Sequence, residues 1–537
     1  MKSFWARRVA GPAAVLFSWG LFLILSHRLW PYQGVFTGEA QGGAAAYAWI
    51  HQISGAAAWY SSSIGEWSIP LMYNTSHGPW GIYLLAPFVA LGGCTLASLR
   101  CYSAFMFLFA LWGTWWLAFL TTKSETAALL AAMLLAICPA MAVTRSEYVS
   151  APDAAASVWA LCFALSYVRT RKPGYAWAAS AAFFLGLCTR TWVAGLGVGL
   201  ALYAILAWRG ILALLPESDE AKARLLGVCL ALAGIFMLPI LAWNATHSWF
   251  SAWFYAHNLI RRGSSTCGQP GHGSCSNLAY WTNLKFNVHQ LASLCDGTAR
   301  IMVQEPWHWL YAAPLLISLI FTVRNARRRG SLWSASAALW IIALGYFLAA
   351  AMSPTTQDAI HLGPLVPILA VLAASWIVTV PIGWPRAAAA GVMALVCAAQ
   401  FTGDVWLFQK KYVDISSAGV GWYGTSPLIV GVSRWAGEQR IPIIPLSQPF
   451  ADAAPYFSQG RAILIPRRDW ISSDRYPWKE WLLRKDRPYF LTENDSLGAA
   501  AAAELKNESE KWGVSLARVK VFRDSLNRPA FVVYRVR

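Results

Sequence analysis

The chain has 537 residues, of which 57% are hydrophobic and only 13% charged, and its mean hydropathy is +0.43. Soluble domains carry about 25% charged residues, so a string of them is excluded, and the apolar content excludes a disordered chain. The net charge of +18 comes with 31 tryptophans. Indole rings favour membrane–water interfaces, so the basic excess points to a membrane surface rather than to nucleic acid.

The first apolar run, 10–26, follows Lys2, Arg7 and Arg8. A basic start and an apolar run are signal-peptide features, but no small-residue cleavage site stands out, so the expectation is a retained signal anchor. About 20 apolar residues cross a bilayer. The stretches 10–26, 100–121, 126–143, 153–169, 174–189, 192–208, 225–243, 309–323, 331–352, 362–381 and 387–407 meet that need, which predicts eleven transmembrane helices. Lys123, Arg169, Arg171, Lys172, Arg209, Arg224, Arg324, the run Arg327–Arg329 and Arg386 then share one side with the N-terminal cations. By the positive-inside rule that side is the cytoplasm.

Trp80 to Ala97 is apolar but interrupted by Pro87, Gly92 and Gly93. Counting it as a span would reverse the later cationic clusters, so it is predicted to lie at the outer interface. The predicted body is residues 1–407, with long outer loops at 27–99 and 244–307. The tail, 408–537, is predicted to be an exoplasmic or periplasmic domain. The whole is an integral inner- or plasma-membrane protein.

From Gln409 onward there are 20 Lys+Arg and 13 Asp+Glu, nearly half of all charged residues. The runs Ile441–Leu446, Ala462–Ile465, Pro488–Leu491, Val519–Phe522 and Phe531–Tyr534 read as strands and Ala499–Trp512 as a helix, a small α/β domain. It shows no phosphate loop and no metal-ligand cluster, so a structural lid or docking role is its expected part.

Ten cysteines are present. Cys94, Cys101, Cys138, Cys162, Cys188, Cys229 and Cys397 lie in or beside apolar runs and are expected to be small buried hydrophobes. Cys267, Cys275 and Cys295 share a polar loop. An oxidising compartment would permit a Cys267–Cys275 disulfide; three free thiols are the alternative.

Charged groups at membrane depth are costly and point to function. Glu39 lies in the first loop. Arg145, Glu147 and Asp153 sit where a span begins, and Arg190 lies between two spans. Each has a plainer reading: Asp153 behind Pro152 suits a helix N-terminus, Arg190 a lipid headgroup, Glu39 a solvated loop. The histidines His77, His257 and His308 suit hydrogen-bonded interface positions, and His51 is the plainest of them. The triplets starting at Asn74, Asn244, Asn494 and Asn507 arise often by chance. Trp59, Tyr60, Trp67, Trp80, Trp249, Trp307 and Trp309 suit interfacial anchoring or stacking on sugars and isoprenoid.

The order of segments resembles the GT-C membrane glycosyltransferases, especially the aminoarabinose-transferase and protein O-mannosyltransferase-like branch, over about residues 10–380. The resemblance rests on Gly38-Glu39-Ala40, Gly65-Glu66-Trp67-Ser68-Ile69-Pro70 and His77-Gly78-Pro79-Trp80. It continues through Thr144-Arg145 with Ala151-Pro152-Asp153-Ala154, then Gly186-Leu187-Cys188-Thr189-Arg190-Thr191. It ends with His257-Asn258-Leu259-Ile260-Arg261, Pro306-Trp307-His308-Trp309 and His361-Leu362-Gly363-Pro364. One departure stands out: Gly38 occupies the place of the family's usual catalytic aspartate, with Glu39 next to it.

The resemblance implies a GT-C-like helical fold and a sugar donor carried on a polyprenyl phosphate. It implies inverting transfer, on the outer face, to a lipid, glycan or protein acceptor, with no nucleic-acid partner. Fixed cations stabilise the growing phosphate charge, and Arg190, Arg261, Arg262 and Arg145 suit that role. A carboxylate takes the acceptor proton, with Glu39 first and Asp153 second. His77, His257, Trp307, His308 and His361 would contact substrate. No cofactor is certain; a divalent ion held by Glu39, Asp153 and a histidine is the one candidate, and no metal-ligand spacing marks it. A transporter or flippase, and a non-catalytic glycolipid binder, are the rival readings; no internal repeat of the transporter kind is visible.

Overall fold

A computed structural model of the protein describes residues 2–29, 37–52, 61–64, 67–71, 78–138, 150–190, 193–246, 309–329, 334–351, 363–417, 428–446, 448–465, 477–493, 496–523 and 527–537. The body starts with α1 (Lys2–Leu29), α2 (Thr37–Ile50) and the strand pair β1 (Ser61–Ile64) and β2 (Trp67–Pro70). There follow α3 (Trp80–Gly92), α4 (Leu96–Thr122), α5 (Glu125–Ala136), α6 (Ser150–Thr170), α7 (Pro173–Thr189) and α8 (Ala194–Leu206). It continues with α9 (Asp219–Thr246), α10 (Trp309–Arg329), α11 (Ala335–Ala351), α12 (Val366–Ser375) and α13 (Trp384–Ser417). The C-terminal part holds α14 (Ile429–Glu438), β3 (Ile443–Pro445), α15 (Gln448–Phe457), β4 (Tyr489–Glu493), α16 (Ser496–Lys511), β5 (Leu516–Arg523) and β6 (Pro529–Val536).

Among the described residues, each of the eleven stretches read as spans overlaps a helix. By length and apolarity, Leu96–Thr122, Asp219–Ala245 and Trp384–Gly403 are, among the described residues, the three able to cross a membrane; α3, α5, α8 and α11 are shorter apolar helices. Leu230 and Leu238 on α9, Leu316 on α10 and Leu395 on α13 point outward. Water would oppose that exposure; hydrocarbon does not.

The helices turn where the sequence supplies caps. Gly93 takes φ +66° after α3, and Thr95 then caps α4 by accepting from the Ser98 amide at 3.2 Å. Ser124 caps α5 in the same way, accepting from the Ala127 amide at 3.3 Å. Such caps satisfy amides that the first turn leaves open.

Helices α4 and α6 run side by side in the same direction. Trp159 Nε1 donates to the Phe109 carbonyl at 3.0 Å, and Cys162 Sγ to the Gly113 carbonyl at 3.2 Å. Gly113 lies against Val158, a close approach that a small residue permits inside a membrane bundle. Among the cysteines, Cys94, Cys138, Cys162, Cys188 and Cys397 are buried, and Cys229 is half-buried. Cys101 differs from expectation: it is exposed on the outward side of α4, next to the inward-facing Tyr102, because adjacent helical positions point about 100° apart. Burial pushes the Cys94 thiol up to about 12, so it stays un-ionised at neutral pH.

The C-terminal sheet has the order β3-β4-β6-β5, with β3 parallel to β4 and the other pairs antiparallel. Leu464 joins its edge by a bridge to Ile443. One sheet face packs with α16 through Phe490, Leu505 and Trp481. The other face shares one core with the membrane body. Ile443, Tyr489, Leu491, Phe531 and Val533 pack through α14 and α15 onto Ala40 and Ala44 of α2, Leu85 and Val89 of α3, and Leu99 and Tyr102 of α4.

The seam between α2 and α15 depends on a missing side chain. A Cβ on Gly43 would lie 2.8 Å from the Tyr456 ring and 3.0 Å from Leu99 Cδ2. Tyr456 Oη in turn donates toward the Thr95 and Gly93 carbonyls, at 3.0 and 3.2 Å, locking the C-terminal part onto the α3–α4 turn. A Gly43→Val substitution should overpack this seam and cost about 1–3 kcal/mol, read as a lowered unfolding temperature in detergent. The same change at Gly20, which has open space around it, should leave that temperature nearly unchanged.

Candidate functional site

Two opposite charges meet where α6 begins and α7 ends. Asp153 stands in the first turn of α6, behind Pro152, and is 1% exposed. Arg190 is the residue that ends α7; its backbone turns extended, and it is 3% exposed. Arg190 Nη1 lies 3.9 Å from Asp153 Oδ2, a charge-pair distance longer than a hydrogen bond.

The local sequence explains the meeting. Proline at the start of a helix loses no hydrogen bond, and a carboxylate there faces the positive end of the helix dipole. A cation at a helix C-terminus faces the negative end. One turn inward, Gly186 of α7 lies so close to Ala156 of α6 that an added Cβ would sit 2.8 Å from the Ala156 methyl. That contact draws the two helix ends into range. The Arg190 amide donates to Gly186 O at 2.9 Å, and the Val193 amide to Arg190 O at 3.2 Å, so the chain reverses tightly into α8.

Magnitudes say what this pair is for. At an effective dielectric of about 20, two charges near 4 Å attract by about 4 kcal/mol. Desolvation costs several kcal/mol for each ion. The pair is therefore poorly explained as a device for stability, and a buried charge at the membrane edge points to function.

Two tyrosines that the sequence reading did not single out complete the surroundings. Tyr346 is buried in one cluster with Ala154 and Val193, close in sequence to Asp153 and Arg190. Tyr102 comes from α4 and Tyr346 from α11, both fully buried. Tyr346 fits because Gly195 on α8 leaves room for its ring, at 2.9 Å from where a Cβ would stand. Arg100, also buried, lies two residues before Tyr102. In a chain with 14% aromatic residues a lone tyrosine gives no signal. The glycine facing it, on another helix, can be matched to it only after folding.

Glu39 lies in the first turn of α2, and its side chain is outside the described residues. Its neighbour Ala40 is buried in the cluster that contains Leu99 and Tyr102, so α2 carries Glu39 over the same outer end of α4. His77 is also outside the described residues; a Cβ on its neighbour Gly78 would collide with the Cys188 carbonyl, so Gly78 lies against the C-terminal end of α7. Trp80 Nε1 donates to the Phe236 carbonyl at 3.0 Å, pinning α3 to α9. Tyr83 Oη donates to the Pro70 carbonyl, and Ile69 and Leu71 pack with Trp243. Burial pushes the Tyr83 phenol up to about 12, which keeps it a donor. Trp80 and Tyr83 therefore have structural duties. So does Thr189, whose hydroxyl donates to the Leu185 carbonyl at 2.8 Å. His51 is exposed beside Tyr47.

The structure thus brings together Asp153 and Arg190, with the buried Tyr102 and Tyr346 near them. Arg145, Glu147, His257, Arg261, Arg262, Cys267, Cys275, Cys295, Trp307, His308 and His361 lie outside the described residues, as do Trp59, Tyr60 and Trp249. Among the described residues no group of three His, Cys, Asp or Glu is placed to hold a metal ion. The guanidinium beside Asp153 would also repel a divalent cation, so the described residues do not compose a metal site, and no step below passes through one.

A helical body with a C-terminal α/β part packed on its first helices is a fold that solved structures share. In particular, the chain is similar to ArnT, an aminoarabinose transferase, from Cupriavidus metallidurans bound to undecaprenyl phosphate: TM-score 0.62 at 13% identity, covering 98% of each chain. It is also similar to the archaeal oligosaccharyltransferase AglB from Archaeoglobus fulgidus, in complex with an inhibitory peptide and a dolichol-phosphate. There the TM-score is 0.53 at 14% identity, over 93% of this chain and 69% of that one. A further structure of the Archaeoglobus fulgidus oligosaccharyltransferase, tethered with an acceptor peptide, gives 0.56 at 12% identity, over 97% and 74%. At these identities the likeness is one of fold. No protein-family model and no curated protein matches the chain.

Neutralising one partner should expose the cost of the pair. Asp153→Asn leaves a guanidinium buried beside a neutral amide and should destabilise the protein by about 3–5 kcal/mol. Asp153→Leu combined with Arg190→Met should recover most of that loss. Thermal unfolding of the single and double variants checks the coupling.

Proposed function

We propose that the protein transfers a sugar from a polyprenyl-phosphate donor to an acceptor at the outer face of the membrane. The observation that carries this reading is the buried Asp153–Arg190 pair at the outer helix ends, in a fold shared with structures that hold undecaprenyl phosphate and dolichol-phosphate. The C-terminal α/β part and both long loops would then face outward, above the cytoplasmic cations.

The chemistry follows from charge. When the glycosyl–phosphate bond breaks, positive charge spreads over the sugar ring while negative charge gathers on the leaving phosphate. A fixed guanidinium aimed at that phosphate stabilises the transition state more than the ground state. Arg190 takes this role, with Arg145, Arg261 and Arg262 as further phosphate ligands. Asp153 holds Arg190 in place and keeps its charge compensated while the site is empty. Glu39 accepts the proton of the acceptor nucleophile, which attacks opposite the phosphate in a single displacement and inverts the anomeric centre. His77, His257, Trp307, His308 and His361 line the path of donor and acceptor. The acceptor is a lipid, a glycan or a protein.

The proposal is tested with purified protein and a polyprenyl-phosphate sugar. Glu39→Gln should lower the transfer rate at least about 100-fold while leaving donor binding intact. Arg190→Gln should weaken donor binding as well as transfer. Donor binding without transfer or hydrolysis in the parent protein would make it a glycolipid binder, in line with Gly38 standing where the resembling family has its aspartate. Counter-flow of labelled lipid in liposomes, without transfer, would make it a flippase.

A further inference from the structure

The C-terminal part carries a basic–aromatic patch that the transfer reaction does not use. Three rings form its floor. Tyr489 of β4 lies 5.6 Å from Trp435 of α14, and Trp435 lies 5.6 Å from Phe522 of β5. Two cations cover the rings: Lys520 Nζ stands 4.9 Å from the Phe522 centroid and 5.2 Å from that of Trp435, and the Arg535 guanidinium stands 5.3 Å from that of Tyr489. Arg535 Nε also donates to the Arg487 carbonyl at 3.4 Å, which brings exposed Arg487 to the rim. Arg434 is exposed beside Trp435.

Few acids stand near these charges; Glu493 of β4 is buried opposite Phe531 on the same sheet face as Tyr489. Strands β5 and β6 contain Arg518, Lys520, Arg523 and Arg535 and no acidic residue. Asp486, next to Arg487, is already held by Arg484 through hydrogen bonds of 3.0 and 2.9 Å. Glu438 lies one turn along α14 from Arg434.

The orientation of the patch decides what it meets. Trp435 and Phe522 also pack against the core that contains α2, α3 and the outer end of α4. The patch is therefore on the sheet face turned toward the membrane body, at its free edge. Cations carried on aromatic plates suit the headgroup layer, where an apolar stem and ring sit low and the charge reaches phosphate.

We infer that this patch rests on anionic phospholipid headgroups of the outer leaflet and docks the C-terminal part to the bilayer beside the helices. The inference depends on the membrane placement of the body and not on the transfer reaction, so either can fail alone.

Hydrogen–deuterium exchange of the full-length protein tests it, in nanodiscs of phosphatidylcholine alone and of phosphatidylcholine mixed with phosphatidylglycerol. Amides of β5 and β6 should exchange more slowly in the anionic discs, and about 1 M salt should abolish the difference by screening. At roughly fivefold in surface affinity per cation, Lys520→Gln with Arg535→Gln should remove most of the slowing. A rim pair, Arg434→Gln with Arg487→Gln, gives the same reading without touching the sheet, should the first pair disturb folding. Equal exchange in both discs, or slowing that survives both charge removals, overturns the inference. Slowing caused by a soluble acidic polysaccharide and not by phosphatidylglycerol also overturns it and assigns the patch to a glycan.

Discussion

One electrostatic constraint holds the helix ends at the centre of this protein: a carboxylate and a guanidinium, both removed from solvent, must stay close to each other. Neither Asp153 nor Arg190 is tolerable there alone. Two helix ends with opposite dipoles supply part of the compensation. Gly186, by letting α6 and α7 approach, supplies the geometry. Tyr102 of α4 and Tyr346 of α11 are buried near the pair.

The second organising feature is that the tail is not an independent lobe. Its sheet shares a core with α2, α3 and the outer end of α4. Helix α2 is caught between the tail and the body, and it carries Glu39. Positioning of that residue thus depends on packing far along the chain, through the Gly43–Tyr456 contact. This packing couples α2 and α3 to the C-terminal part: one side of α3 meets the tail's core, and exposed Leu91 lies at its end.

Several site residues were legible because membrane depth makes charge rare. Asp153 and Arg190 stand out in apolar surroundings, and the positive-inside pattern puts both on the outer side. The helices were legible for the same reason: apolar length is a local property. Four of the five runs read as strands in the tail are strands, legible from short apolar stretches between turn residues, whereas Ala462–Ile465 makes only a bridge at Leu464. Cys101 shows the limit of that reading, since an apolar neighbourhood in sequence does not say whether a helical position faces the bundle or the lipid. Trp80, a plausible sugar platform by composition, proved to be a clamp between α3 and α9.

The sequence by itself determined the membrane class, the positions of the helices and the short list of charged candidates, because hydropathy and charge act residue by residue. Only the tertiary structure decided that Asp153 and Arg190 are partners, that Tyr102 and Tyr346 stand beside them, and that the basic tail folds back onto the body. Each of those facts depends on a distance between segments far apart in the chain. Such distances are set by glycines at helix crossings and by side-chain volume, which composition counts but does not locate. The net charge of +18 illustrates the division. Its magnitude points to a membrane surface, but the fold alone places Lys520 and Arg535 together on an aromatic floor.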